Sequence, residues 1–183
     1  MATVYPEIDD KLRDWLLAQP VFFVGTAPAD VAGHLNVSPK GMAGTFAVLG
    51  PRTVGYLDYF GSGIETVAHL RENGRIVIMC CAFSGPPQIV RLQGRGRVVL
   101  PDDVEFADLR VRFGKPRDLG LRSIVVVELD RIADSCGWSV PLMDYVGDRD
   151  VLDKAQERRT PDYYAEYAAT KNANSIDGLP GLR

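Results

Sequence analysis

A glycine-containing turn carries the clearest chemical signal in the sequence. It lies within residues 56–73, which read YLDYFGSGIETVAHLREN and predict a strand, a turn and a short helix. Gly61 and Gly63 give the backbone conformational freedom, and Ser62 and Thr66 add hydroxyl groups. The start of a helix offers unpaired N–H groups at the positive end of its dipole, which favours a phosphate. The turn therefore predicts an anion site, although an ordinary strand-to-helix turn can have the same composition.

The turn differs from the two common nucleotide-binding loops. It lacks the third glycine of a G-x-G-x-x-G fingerprint, and it lacks the Gly-Lys-Ser/Thr ending of a Walker A loop. The sequence therefore argues against a Rossmann or P-loop enzyme.

A second row of polar side chains comes from HLNVSPKG, residues 34–41. Alternation along a strand puts four polar residues on one face: His34, Asn36, Ser38 and Lys40. The opposite face takes Leu35, Val37 and Pro39. The polar row has two interpretations. It is either the solvated face of an edge strand, which a proline suits, or a row of groups facing a polar ligand.

A third segment, residues 89–100 (IVRLQGRGRVVL), alternates in the same way. Four polar residues share one face: Arg91, Gln93, Arg95 and Arg97. Gly94 and Gly96 lie on the other face. Glycines inside a strand mark a bulge or a bend, and they also allow a flat ligand to come close. We favour the structural interpretation for these two glycines.

The elements that position these residues predict a mainly β fold. Strands are predicted at residues 21–26, 46–49, 53–58, 76–83, 89–100 and 122–134. Helices are predicted at residues 7–19, 102–113 and 151–159, and a short helix follows the glycine-containing turn within residues 56–73. With at least six strands and few helices before residue 135, a closed or partly closed antiparallel barrel with flanking helices is favoured over parallel winding.

The chain divides by composition at residue 135. Residues 1–134 form the predicted barrel domain with an N-terminal packing helix, and residues 135–183 form a C-terminal extension. The extension is rich in large apolar and aromatic residues: Trp138, Tyr145, Tyr163, Tyr164, Tyr167 and Leu179. Such a segment is expected to pack on a surface, which belongs either to the barrel or to a second subunit.

Charge and composition limit the class of protein. The 183 residues carry a formal net charge of -3, and no apolar run reaches the ~20 residues that span a bilayer. The acidic, polar N-terminus does not resemble a secretory signal. We therefore expect a cytoplasmic protein that binds neither nucleic acid nor membrane.

Cysteine and histidine usage predicts no metal site. Cys80 and Cys81 are neighbours in an apolar run, and Cys136 stands alone. His34 and His69 are far apart, and no C-x-x-C motif is present. Buried structural thiols are the expected role of Cys80 and Cys81.

Together, NVSPKG, LDYFGSGIETVAHLRENG and PPQIVRLQGRGRVV resemble the pyridoxamine 5′-phosphate oxidase-like flavoproteins. The resemblance covers roughly residues 20–134. Beyond it, SCGWSVP and KNANSIDGLPGL are similar to the tail of a bacterial subgroup described as oxidase-related FMN-binding proteins. The resemblance implies a split β-barrel of Greek-key type and a homodimer that binds FMN in two equivalent clefts between its subunits.

The family's cofactor residues carry over unevenly. Its second-strand motif matches residues 36–40, ending in Lys40, but Leu35 replaces the leading arginine. Its Arg-Lys pair at the phosphate falls on Glu65 and Thr66, so the chain has less positive charge there. Gln88 and Arg91 match the segment beside the flavin ring. The resemblance thus implies these cofactor-binding residues: Asn36, Val37, Ser38, Lys40, Asp58, Ser62, Gly63, Thr66, Gln88 and Arg91.

The predicted function is an FMN-dependent oxidoreductase with a small-molecule substrate. The C-terminal arginine motif by which the family's oxidases bind pyridoxamine phosphate is not visible, so that substrate is not expected. No catalytic residue is assigned, because the flavin itself carries the redox chemistry. Two alternatives stay open: a deazaflavin or haem protein of the same fold, and a non-catalytic flavin-binding protein.

Overall fold

The computed structural model describes residues 3–182. This part of the chain contains eight strands: β1 (Val4–Tyr5), β2 (Val21–Thr26), β3 (Asn36–Gly41), β4 (Phe46–Gly50), β5 (Thr53–Tyr59), β6 (Arg75–Cys81), β7 (Ile89–Val99) and β8 (Leu121–Ser135). It contains five helices: α1 (Asp10–Leu17), α2 (Glu65–Glu72), α3 (Phe106–Arg110), α4 (Val151–Gln156) and α5 (Pro161–Thr170). The mainly β architecture with flanking helices is confirmed.

The strands form one antiparallel sheet that curls into a split barrel. Its order is β3-β2-β6-β7-β8-β5-β4, and β1 adds to β8. Phe22 of β2 contacts Phe46 of β4, with ring centroids 5.1 Å apart, although four strands separate β2 and β4 in the sheet order. This contact requires the two ends of the sheet to face each other, so the core lies inside the curl.

Helix α1 closes one side of this core. Asp9 caps it, since the Asp9 carboxylate accepts a hydrogen bond of 2.8 Å from the N–H of Leu12. Leu12 and Leu16 are buried and belong to the same cluster as the inner residues of the strands. The packing helix predicted for residues 7–19 is therefore present, but it is shorter at both ends.

The glycines of β7 have the structural roles that the sequence favours. The register of β7 against β8 shifts between Gln93 and Gly94, which marks a bulge. A Cβ on Gly94 would lie 1.9 Å from the carbonyl oxygen of Glu128, and one on Gly96 would lie 2.8 Å from Leu70 of α2. Both glycines thus permit close packing, at the bulge and beneath the helix.

The bounds of α3 and α4, the helix α5 and one short strand also differ from expectation. Only Phe106–Arg110 is helical in the segment predicted as a helix over residues 102–113, and α4 ends at Gln156 rather than at residue 159. Helix α5 was not predicted. Its start is set by the Thr160 hydroxyl, which accepts from Tyr163, and by a proline in the first turn. The two-residue strand β1 was also missed.

The extension after β8 packs along the barrel that precedes it. The N–H of Met143 donates to the carbonyl of Phe83, and the Lys115 ammonium lies 2.9 Å from Asp153 of α4. The ring of Tyr164 in α5 packs at a tilt against the ring of Phe60, with ring centroids 5.0 Å apart. Within residues 3–182, none of the helices has the length and hydropathy that crossing a membrane requires.

The Gly94 bulge yields the first prediction. Gly94→Ala forces a methyl group against the Glu128 carbonyl, so we expect it to lower the free energy of unfolding by about 1–3 kcal/mol. Urea denaturation measures this change. Gly50→Ala is the matched control, because its Cβ would have no atom nearer than 3.6 Å. Equal stability of the two variants would contradict the assigned role of Gly94.

The cysteines yield the second prediction. All three are free; Cys80 and Cys81 are buried and Cys136 is exposed. Burial raises the pKa of Cys80 to about 12 and also raises the pKa of Cys81. We therefore expect a thiol reagent to label one thiol quickly in the native protein and three after unfolding, and Cys136→Ser to remove the fast one. Rapid labelling of two thiols in the native wild type would contradict this assignment.

Candidate functional site

A buried carboxylate in the middle of the barrel organises the candidate site. Asp58 of β5 is 3% exposed. The Lys40 ammonium on β3 lies 2.9 Å from one carboxylate oxygen, and the Arg122 guanidinium at the start of β8 lies 2.7 Å from the other. Because β3 and β5 are not neighbours in the sheet, Lys40 and Asp58 join strands that four others separate. We call Lys40, Asp58 and Arg122 the charge network.

The charge network keeps Asp58 ionised. Burial alone would raise the pKa of the Asp58 carboxyl, but the charges and hydrogen bonds of Lys40 and Arg122 outweigh it and lower that pKa. The network therefore has one buried anion held between two cations. Arg122 is itself buried, whereas the Lys40 side chain is partly exposed, at 26%. Lys40 is thus the member of the network that a ligand can reach.

Arg122 also holds the glycine-containing turn. Its guanidinium donates to the carbonyl of Gly63 at 3.0 Å and, more weakly, to that of Gly61 at 3.4 Å. It also donates to the side-chain oxygen of Asn172 in the C-terminal extension, at 2.9 Å. The turn that the sequence singled out is therefore tied to the charge network through its carbonyl groups.

The inner face of β3 meets the start of α2. The Asn36 amide donates to the Thr66 hydroxyl at 3.0 Å and to the Ser38 hydroxyl at 3.3 Å. Asn36, Ser38 and Lys40 are all partly buried, while Val37 on the opposite face is 70% exposed. The polar side of this edge strand thus faces the protein, which excludes the interpretation of a fully solvated face. His34 lies outside β3 and bonds to Asp177.

Helix α2 begins without a side-chain cap. Ile64 occupies the N-cap position and its side chain can accept no hydrogen bond. Ser62 and Gly63 precede it and are exposed. Glu65 stands in the first turn, and a Cβ on Gly63 would lie 2.9 Å from its carboxylate. The helix start therefore offers N–H groups without a side-chain partner, but it also has one negative charge beside them.

Gln88 and Arg91 lie in another part of the molecule. Arg91 donates to the Ser135 hydroxyl at 3.0 Å, and Gln88 lies near the Tyr5–Asp134 pair. Within residues 3–182, neither side chain hydrogen-bonds to the charge network or to the turn. The structure therefore brings six of the ten candidates together around the turn and β3 (Asn36, Ser38, Lys40, Asp58, Gly63 and Thr66). Ser62 adjoins them, Val37 points away, and Gln88 and Arg91 are separate.

An open cleft of about 940 Å³ adjoins Lys40. Its walls are mostly apolar and come from β2, β3 and the extension: Val21, Phe23, Pro39, Met42, Phe83, Met143 and Leu152. Asp144, Asp148 and Arg149 add charge from the extension. This volume lies within the range of ligand pockets, about 300–1,000 Å³. The cleft can accommodate a flat apolar ring with Lys40 at one wall.

Sequence reasoning named neither Arg122 nor Asn172 among the cofactor-binding residues. Asp58, an aspartate within the otherwise uncharged strand β5, was the available signal for Arg122. A buried carboxylate requires a cationic partner. Arg122, the second residue of β8, was available as that partner. Asn172 carried no local signal, because its two partners are 50 and 111 residues away in sequence.

Solved structures with the same fold are distant in sequence. HupZ of Group A Streptococcus superposes with a TM-score of 0.51 at 18% identity, covering 68% of this chain and 91% of HupZ. A conserved protein of unknown function from Corynebacterium diphtheriae gives a TM-score of 0.51 at 15% identity, covering 74% and 98% of the two chains. These similarities show the fold.

Sequence comparisons identify the family of the chain. The family model described as pyridoxamine 5′-phosphate oxidase matches residues 8–136. The pyridoxamine 5′-phosphate oxidase family protein ustO of Aspergillus flavus is 39% identical over 196 residues, an alignment that covers all of this chain and 78% of ustO. The match thus extends through the C-terminal extension as well as the barrel. On this basis the chain belongs to the pyridoxamine 5′-phosphate oxidase family.

Proposed function

We propose that this protein is an FMN-dependent oxidoreductase that acts on a small molecule. The observation that carries the proposal is the helix start of α2, which has no side-chain cap and holds Thr66, the hydrogen-bond partner of Asn36. An anion would satisfy the free N–H groups there. Membership of a family of oxidases that act on a phosphorylated compound, together with the sequence motifs, makes the FMN phosphate the best candidate for that anion.

The residues present fit the phosphate in part. Lys40 supplies a partly exposed ammonium, and the Thr66 and Ser62 hydroxyls can each donate a hydrogen bond. We assign Arg122 no direct contact with the phosphate, because it is buried and donates to Asp58, Gly63 and Asn172. The Glu65 carboxylate opposes an anion. The protein would therefore bind phosphate with one cation, two hydroxyls and a helix start rather than with a pair of basic side chains.

We assign the remainder of the cofactor to the cleft beside Lys40, which is lined by Val21, Phe23 and Pro39 and shares only Lys40 with the proposed phosphate ligands. Its apolar walls would bury a flat ring system and exclude water from one side of it. Bound FMN would supply the hydride or electron chemistry. The chain's contribution is to bind the phosphate and orient the ring. None of the described side chains around the cleft is assigned an acid or base role.

We also propose that a second copy of the chain completes the site. Large apolar side chains stand exposed on β3 and on the first part of the extension. Those of the extension form what we call the apolar strap: Trp138, Leu142, Met143, Tyr145 and Val146. Val37 on β3 is 70% exposed and Val146 is 99% exposed. Exposed apolar groups on β3 and on the apolar strap support an interface between subunits.

Loss of phosphate ligands should weaken FMN binding. Lys40→Ala removes a charge-assisted hydrogen bond and Thr66→Ala removes a hydroxyl, so we expect the dissociation constant to rise roughly tenfold or more for Lys40→Ala and less for Thr66→Ala. Fluorescence titration with FMN measures both. Lys154→Ala, which removes an exposed ammonium on α4, is the control. Wild-type affinity in both site variants would remove this phosphate site.

Removal of the opposing charge should strengthen binding. Glu65→Gln eliminates the carboxylate beside Gly63, so we expect FMN to bind about fivefold more tightly, equivalent to about 1 kcal/mol. The gain should shrink at high salt because the interaction is electrostatic. Glu166→Gln removes an exposed carboxylate of α5 and should have no effect. Weaker FMN binding in Glu65→Gln would show that the phosphate lies elsewhere.

Charges in the apolar strap should disrupt the dimer. We expect Leu142→Glu with Val146→Glu to shift the protein toward a monomer in light scattering and to lower its flavin content, because two buried charges oppose association. Val104→Glu, which changes a fully exposed valine outside the strap, is the control. A wild-type protein that is monomeric and retains one FMN per chain would contradict the shared site.

A further inference from the structure

The last eleven described residues return to the turn of the candidate site. Asn172 is fully buried. Its amide nitrogen donates to the carbonyl of Gly61 at 3.1 Å, and its amide oxygen accepts from Arg122 at 2.9 Å. One side chain from the C-terminal extension thus contacts both the turn and the charge network. We call residues 172–182 the C-terminal clamp.

The clamp has its own internal structure. The N–H of Gly181 donates to Ala173 and the N–H of Leu182 donates to Asn172, which closes a compact loop. A Cβ on Gly181 would lie 2.2 Å from the Asn172 carbonyl oxygen and 2.7 Å from Ile64, so this position needs a glycine. Arg71 of α2 donates to the Gly181 carbonyl. The clamp is therefore fixed against both the N-cap residue and the last turn of α2.

These contacts determine how the turn presents its N–H groups. A peptide unit is planar and almost always trans, so a carbonyl and the N–H that follows it point in opposite directions. Arg122 and Asn172 hold the carbonyls of Gly61 and Gly63. The N–H groups of Ser62 and Ile64 are consequently held pointing away from Arg122. Without these contacts, the exposed glycines would leave the turn free to take other conformations.

We propose that Asn172 and Arg122 are positioning residues, which orient the turn so that its N–H groups can receive a phosphate. The proposal rests on the proposed function, since the phosphate in question is that of FMN. Arg122 acts through the turn because it is buried and donates to the carbonyls of Gly61 and Gly63. The C-terminal clamp is accordingly a part of the cofactor site, although it contributes no side chain to the phosphate itself.

The central experiment compares FMN with riboflavin, which has the same ring and no phosphate. In Asn172→Ala we expect the FMN dissociation constant to rise about tenfold while the riboflavin dissociation constant stays the same. A general loss of packing would weaken both ligands equally. Asn174→Ala is the matched control, because it changes an exposed asparagine two positions along the same loop. Arg122→Lys should behave like Asn172→Ala, since lysine keeps the charge beside Asp58 but not the set of contacts to the turn.

A second measurement tests the clamp without any ligand. Amide hydrogen exchange in residues 60–66 should accelerate about tenfold in Asn172→Ala and remain at the wild-type rate in Asn174→Ala. If Asn172→Ala does not fold, Asn172→Asp replaces it, because aspartate keeps the acceptor for Arg122 and loses the donor to Gly61. The same acceleration is then expected.

The outcomes separate the two proposals. If the wild type binds neither FMN nor riboflavin but the exchange difference is present, the proposed function fails and the clamp stands. The other case is that FMN binds and Asn172→Ala leaves both measurements unchanged: the ratio of FMN to riboflavin affinity and the exchange rate of the turn. In that case the positioning role is overturned and the proposed function stands.

Discussion

The buried carboxylate of Asp58 is the constraint on which the rest of the structure depends. An unpaired ionised group in a protein interior is very costly, and removal of one partner of a buried pair typically destabilises by about 3–5 kcal/mol. Asp58 therefore requires both Lys40 and Arg122. The ion pair of Lys40 with Asp58 connects the edge strand β3 to β5 across the barrel. Arg122 connects Asp58 to the turn before α2 through its hydrogen bond to the Gly63 carbonyl. A single charge thus links the curl of the sheet to the geometry of the candidate site.

The same constraint gives the two cations of the charge network different roles: Arg122 holds the turn, and Lys40 is the one that a phosphate can reach. Arg122 is the most deeply buried cation near the turn, yet its donors are used to hold Asp58, two carbonyls and Asn172. Lys40 is the partly exposed cation of the network. A site built in this way has a rigid interior and one accessible positive charge. Glu65 further lowers the local potential, so the account implies a phosphate site of moderate strength that depends on backbone geometry.

Much of the fold could be predicted from sequence because strand alternation is a local signal. The β7 segment shows this well: its polar and apolar faces and its glycine bulge follow from residues 89–100 alone. Helix ends were less predictable, since they depend on capping. Helix α5 was missed although Thr160 and Pro161 form a typical helix start. For residues 102–113, an apolar spacing among charges suggested a helix that only Phe106–Arg110 forms.

The candidate site was only partly predictable, for a different reason. The turn and the polar face of β3 have sequence patterns of their own, and the structure brings Asn36 to Thr66 and Lys40 to Asp58. Arg122 and Asn172 have no such pattern, because their roles arise from contacts between residues distant in sequence. Gln88 and Arg91 were assigned through family resemblance alone, and in one chain they lie apart from the turn. Their place beside a cofactor would require the second subunit.

The central claim is that this barrel binds FMN, and the visible absorption spectrum of the freshly purified protein tests it most directly. The account predicts a flavin spectrum and, after heat release, a chromophore identified as FMN at one per chain. A deazaflavin or haem spectrum, or a colourless protein that takes up no added FMN, would contradict it.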